Sequence, residues 1–331
     1  MATLSTTVLT LTDWAKRIDP DGKISAVAEL LNQTNDILTD MLFVQGNLET
    51  GERVTVRTGL PVAAWRLLNQ GIAPSKSSTA QITEQCGMLE ARGQVDKDIA
   101  ELASDLAGFR LSEATPHMES MNIEMAQTVF YGNSGLAPEE FTGLAPRYSA
   151  LSGAGNSSNV LNAGGTGSDN SSIWLLVWGP QTVYGIFPKN SKAGLIHEDL
   201  GLEDAFDASG NRFRAYLDWW QWKNGIAVKD WRYAVRICNI DISNLVAQSA
   251  AADLIELMIK AIHRIPFMSM GRPVFYMNRT CFQMLDIARR ADVIAGGGLT
   301  YDKVDGIATP SFRGIPIRKC DALIETEAAV T

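Results

Sequence analysis

Residues 98–131 read DIAELASDLAGFRLSEATPHMESMNIEMAQTVFY. Ile99, Leu102, Leu106 and Phe109 recur at helical spacing, and Met118, Met121, Met125 and Val129 repeat the pattern. Pro116 separates the two halves, so a break or kink is expected there, with Thr115 as N-cap and Pro116 at the first helical position. Gly132 ends the run. A continuous helix over this range would span about 50 Å at 1.5 Å per residue, enough for the spine of a thin, flat subunit.

Upstream of this helix the pattern is extended. Arg53-Val54-Thr55-Val56-Arg57 alternates, Trp65-Arg66-Leu67-Leu68 follows Gly59-Leu60-Pro61, and a polar tip at 74–79 precedes Gln81–Cys86. This predicts a long hairpin with few core residues of its own, and isolated two-stranded hairpins are marginal in water. The first 45 residues read as an arm. Thr12-Asp13 opens a short helix that Asp19-Pro20-Asp21-Gly22 closes, and Ile24, Val27, Ala28 and Leu31 line one face of a second. Neither piece is long enough to be stable alone, so the arm must lie against something else.

Downstream, the Gly/Ser/Asn-rich stretch 149–172 reads as a loop. Strands are expected at Ile173–Trp178 and Val183–Phe187. A hairpin is expected in which Trp219, Trp220 and Trp222 precede a turn at Asn224-Gly225 and Ile226–Ile237 returns. An amphipathic helix over Ala250–His263 is closed by Pro266. Strand Pro273–Met277 then leads to Asn278, the cap of a helix reaching Arg290. After Gly296-Gly297-Gly298 the chain finishes on Ser311–Arg318. The fold class is α+β, without a βαβ rhythm.

Composition narrows the function. The chain has 331 residues, 46% of them hydrophobic, with 29 Lys+Arg against 37 Asp+Glu and a net charge of −8. That is a folded globular composition, and its acidity argues against a dedicated nucleic-acid binder. Cys86, Cys238, Cys281 and Cys320 form no CxxC and read as reduced thiols. The N-terminal residues lack the features of a signal peptide, and no apolar run is long enough to predict a membrane helix.

Catalytic signatures are sparse. No P-loop is present, and the glycine clusters at 153–167 and 296–298 do not open a helix after a strand. His117, His197 and His263 are far apart. His197-Glu198-Asp199 could be an acid/base or metal cluster, but the acidic stretch 198–204 reads more simply as a solvated loop. Gly132-Asn133-Ser134-Gly135 falls one residue short of GxSxG, and no strand precedes it. Trp219, Trp220, Trp222 and Trp231 with Arg232 and Arg236 could stack bases or sugar rings; hairpin packing accounts for the same residues. No catalytic, cofactor-binding or metal residue is assigned, and the chain is not expected to be an enzyme.

Several segments in order resemble the major capsid proteins of tailed bacteriophages, those of short-tailed phages above all. They are Phe130-Tyr131-Gly132-Asn133 with Pro138–Leu144, Trp178–Lys189, Val228–Ile237, Tyr276-Met277-Asn278-Arg279 and Phe312–Asp321. The resemblance implies the Hong Kong 97-type fold: an N-terminal arm (1–45), an E-loop hairpin (46–95), a peripheral-domain spine helix (96–131), an axial domain (132–300) and a return to the peripheral domain (301–331). It further implies a shell protein that self-assembles as pentamers and hexamers into an icosahedral head around double-stranded DNA, held without sequence-specific contacts. Such a protein would be assembled in the host bacterial cytoplasm and reside in the virion. A separate scaffold, a portal and cementing or decoration proteins are the partners the family allows, with no cofactor and no membrane. Lys16, Arg17 and Lys23 on the arm would touch DNA loosely. The alternative reading is a Trp-rich carbohydrate- or ligand-binding module.

Overall fold

The computed structural model describes residues 33–102, 105–207, 209–249, 252–292, 299–304 and 307–331; of 289–292, 299–304 and 307–309 only the backbone is described. The expected arm helices, Lys16, Arg17, Lys23 and the glycine run 296–298 lie outside the described residues. In chain order the elements are α1 (Ile37–Asp40), β1 (Phe43–Gln45), β2 (Gly51–Gly59), β3 (Ser78–Gln85), β4 (Gly87–Asp96), α2 (Lys97–Glu101) and α3 (Leu106–Tyr131). They continue with β5 (Val160–Asn162), β6 (Asn170–Trp178), β7 (Val183–Phe187), β8 (Leu195–Phe206), β9 (Arg212–Val228) and β10 (Ala234–Asp241). The last are α4 (Ile242–Ala247), α5 (Leu254–Arg264), β11 (Arg272–Met277), α6 (Arg279–Asp292), β12 (Leu299–Val304), β13 (Ile307–Phe312) and β14 (Ile315–Lys319). Two compact units result: of the described residues, those within 33–34, 88–126 and 194–223 form the first, and those within 35–87, 127–193 and 224–331 the second.

The second unit is built on β6, which pairs antiparallel with β10 and with β11. With neighbours on both edges and cover on both faces, every residue of β6 is buried, from Asn170 to Trp178. That is why Ile173–Trp178 reads as one unbroken apolar run instead of alternating. Its odd-numbered side chains, Ile173, Leu175 and Val177, meet Leu245 of α4, Leu257, Met258 and Ala261 of α5 and Leu285 of α6 in one aliphatic core. Its even-numbered face is aromatic: Trp174 packs against Phe130 and Tyr148, and Trp178 against Tyr276. The sheet continues from β11 to β14 in parallel, then antiparallel to β13 and β12. Arg313 and Gly314, at φ 53° and 80°, make the tight turn between β13 and β14.

Charge inside this unit is paired. Arg236 and Glu327, each nearly fully buried, lie 2.8 Å apart, and Ser172 and Tyr131 donate hydroxyls to the same carboxylate. Asp40 accepts from Arg272 at 2.7 Å, from Arg318 at 3.2 Å and from the Tyr276 hydroxyl at 3.2 Å.

The first unit joins β8 and β9 as an antiparallel hairpin from Leu195↔Trp222 to Phe206↔Arg212, with a register shift between Asp199 and Gly201. Val95, Ile99, Ala100 and Phe109 form its core, with Leu106 and Tyr216 packed against them.

Five expectations require correction. The helix does not restart at Pro116: α3 runs unbroken through it, and Thr115 is interior, its hydroxyl donating to the Leu111 carbonyl at 3.0 Å. The true N-cap is Asp105, which accepts from the Gly108 amide. Asn224-Gly225 is not a turn but the interior of β9. A Cβ on Gly225 would meet the Gln85 carbonyl oxygen at 2.7 Å, so glycine is present there for close backbone approach. The hairpin turn lies instead at 207–211, where Asp207 accepts from the Ser209 and Asn211 amides. The 198–204 segment is strand β8, because pairing with β9 needs only its backbone and leaves the carboxylates in solvent. The 149–172 segment is not wholly loop, since it holds β5 and the buried start of β6. Trp65–Leu68 is not a strand and lies in the open tip beyond β2. The helical caps Asn278 and Asp253 accept from Cys281 and Glu256, close to the expected helix starts.

Candidate assembly surface

The hairpin β2–β3 pairs from Gly51↔Gln85 to Gly59↔Ser78. In β3 the single buried residue is Glu84; in β2 only Gly51 and Val54 are buried. The valines of 53–57 supply the alternation seen in the sequence, but Val54 alone is buried and Val56 is half-buried. Residues 60–77 carry Leu60, Val62, Trp65, Leu67, Leu68 and Ile72, all exposed, with Trp65 at 104% relative exposure. So dense an exposed apolar group marks an interaction site. Arg53, Arg57, Arg66 and Lys76 are the only charged residues between Glu52 and Glu84, so this apolar tip is also cationic within a chain of net charge −8.

The root of the hairpin is built differently. Arg147 donates to both carboxylate oxygens of Glu84 at 2.5 and 2.7 Å. The same guanidinium donates to the carbonyls of Gly143, Thr142 and Ile226. Glu52 is the register partner of Glu84 and lies near Tyr184, whose hydroxyl pKa it helps burial to raise. Asn47 bonds both ways to the backbone of Arg53.

The other candidates resolve as packing. Trp220 is buried between His117 and His197, with ring centroids 5.0 and 5.2 Å apart. His197 Nε2 lies 3.0 Å from Asp218, and Arg110 bridges Asp218 and Asp199. Burial holds the His117 imidazole below its ordinary pKa, with Asp218 opposing. Trp219 and Gln221 bond Glu90. Trp231, Arg232 and Arg236 belong to the second unit, where Arg232 pairs with Asp230 and Arg236 with Glu327. The Trp219/Trp220/Trp222 group is therefore no open stacking platform. His263 is exposed in the last turn of α5. The Ser134 hydroxyl shares a hydrogen bond with Thr142 at 2.7 Å.

Burial pushes the thiols of Cys86, Cys281 and Cys320 up to about 12 and that of Cys238 to about 11. Such thiols are unreactive near neutral pH. Among the described residues no group of His, Cys, Asp and Glu could hold a metal, and no helix is long and apolar enough to cross a membrane.

Comparison with known proteins identifies the family. The profile of the family described as Major capsid protein GP7 matches residues 19–331. The near-atomic resolution structure of bacteriophage Epsilon15 contains a chain 37% identical to this one, with TM-score 0.76 and full coverage of both chains. The capsid of bacteriophage JBD30 aligns at 10% identity, TM-score 0.48, over 89% of this chain and 92% of that one. The capsid of a native GTA particle aligns at 12% identity, TM-score 0.45, over 72% and 99%. No curated protein sequence matches. The chain belongs to the major capsid protein GP7 family and is a phage major capsid protein of Hong Kong 97-type fold, as its segments of resemblance implied.

Proposed function

We propose that this capsid subunit assembles as pentamers and hexamers into an icosahedral shell around double-stranded DNA, through the hairpin tip. The single observation that carries this reading is the exposed apolar and cationic tip at 60–77, which the subunit itself does not cover. A second copy of the chain offers a complementary surface. Between Lys192 and Arg212 the charged residues are Glu198, Asp199, Glu203, Asp204 and Asp207, interspersed with the exposed Leu195, Leu200 and Phe206. Matching charge guides the encounter, and burial of Trp65 and its apolar neighbours supplies most of the affinity.

In this reading residues 1–45 are the arm, 46–95 the E-loop, 96–131 the spine helix, 132–300 the axial domain and 301–331 the return to the peripheral domain. The acidic chain suits a container, because strong neutralisation of each phosphate would hinder DNA entry and exit. Assembly takes place in the host cytoplasm, with a separate scaffold, a portal and cementing proteins as partners. The test is charge reversal. Arg57→Glu with Arg66→Glu should leave the subunit folded and abolish shells in electron micrographs. Adding Glu203→Arg and Asp204→Arg should restore part of the yield. Normal shells from the first variant would sink the proposal.

A further inference from the structure

The tip can bind a neighbour productively only if the hairpin is held in one direction, and very little of the hairpin is buried. Most of β3 is exposed; its one buried residue is a glutamate. A buried carboxylate is costly unless it is paired and hydrogen-bonded. Here both of its oxygens are taken by one guanidinium, itself fixed by three backbone carbonyls from two other segments, 142–143 and Ile226. Arg147 sits in a short 3-10 turn, Ala145–Tyr148, and the Tyr148 hydroxyl anchors that turn by donating to the Trp231 carbonyl at 2.8 Å. The support of the clamp is thus rigid.

Register adds a second reason for a cation at this place. Glu52 and Glu84 stand directly opposite each other on β2 and β3. Like charges facing across a strand pair destabilise it. Among the described residues no cation pairs with Glu52, so Arg147 is the cation that lets the two carboxylates face each other.

We infer that Arg147 is a positioning residue for assembly: acting through Glu84, it holds the β2–β3 hairpin against the rest of the second unit and so aims the tip. Arg147 itself makes no contact with the tip. The inference rests on the reading that the hairpin carries assembly, and the experiment separates the two. Amide hydrogen exchange is measured on the unassembled subunit, followed in β2, β3, β6 and β11, with shell yield read in parallel. Arg147→Met should raise exchange in β2 and β3 by about tenfold or more, leave β6 and β11 within about twofold, and cut shell yield. Arg147→Lys, which keeps the charge but loses the fork, should give an intermediate rise. Arg147→Met with Glu52→Gln should recover part of the hairpin protection, because the facing charges are gone. This recovery is a response that simple loss of core packing would not show. Unchanged exchange in the hairpin, or an equal rise in β6 and β11, would overturn the clamp. A loosened hairpin with normal shells would keep the clamp and overturn the role of the hairpin in assembly. If Arg147→Met fails to fold, the lysine variant carries the same comparison.

Discussion

Strand β6 and the two strands of the β2–β3 hairpin are extended segments of similar length, nine, nine and eight residues, and they solve opposite problems. β6 is buried at every position and holds two faces of a core together. The hairpin buries almost nothing beyond its root and keeps its largest side chain, Trp65, fully in solvent. The difference shows where the free energy of each is gained. β6 gains it on folding, through apolar area removed from water within the subunit. The hairpin, on the proposed reading, gains it on association, and until then needs only a root firm enough to hold it.

The strongest way to break the comparison is to insert charge in the core. Ile315→Asp places a carboxylate in the apolar core with Phe312, Ile317 and Phe275, and should leave the subunit unfolded by circular dichroism. A soluble, native-like variant would contradict the core assignment. Arg236→Met comes next. It strands the Glu327 carboxylate, and chemical denaturation should show a loss of about 3–5 kcal/mol. Leu175→Ala, in the fully buried strand, should cost about 2–5 kcal/mol. In the first unit the effect is smaller and depends on pH. His117 has a folded pKa below its ordinary 6.5, so the unfolded chain takes up the proton first and stability falls as pH drops below about 6.5. His117→Phe should flatten the dependence of the unfolding midpoint between pH 7 and pH 5. An equal slope in both proteins would refute the link. Smallest of all is Trp65→Ser, expected to shift subunit stability by no more than about 0.5 kcal/mol, since the indole touches nothing the subunit buries.

The same contrast explains what could be read before the structure. Core strands announce themselves, since Ile173–Trp178 and Pro273–Met277 are apolar runs bounded by breakers, and the cap at Asn278 follows standard chemistry, whereas the helix expected from Ala250 begins at Leu254 behind an Asp253 cap that was not read. The hairpin was legible as a poorly buried extension, and the proposal that it serves assembly starts from that feature. Asn224-Gly225 misled because the dipeptide has the composition of a turn, whereas its glycine serves the close passage of Gln85. Thr115-Pro116 misled because a helix start and a tolerated interior proline carry the same residues. Strand β8 was hidden by its carboxylates, which an exposed edge accommodates without any apolar signature. The Arg147–Glu84 clamp had no sequence signal. Its partners are 63 residues apart and meet only in the folded unit.

The central claim is that the hairpin tip contributes to association and not to folding. The direct measurement replaces residues 61–76 with a short Gly/Ser linker and compares the variant with the parent chain by thermal unfolding and electron microscopy, each expressed with the neighbouring phage genes. Unfolding midpoints that coincide, together with closed shells from the parent and small particles alone from the variant, are the predicted result. Shells of normal size and yield from the truncated chain would contradict it.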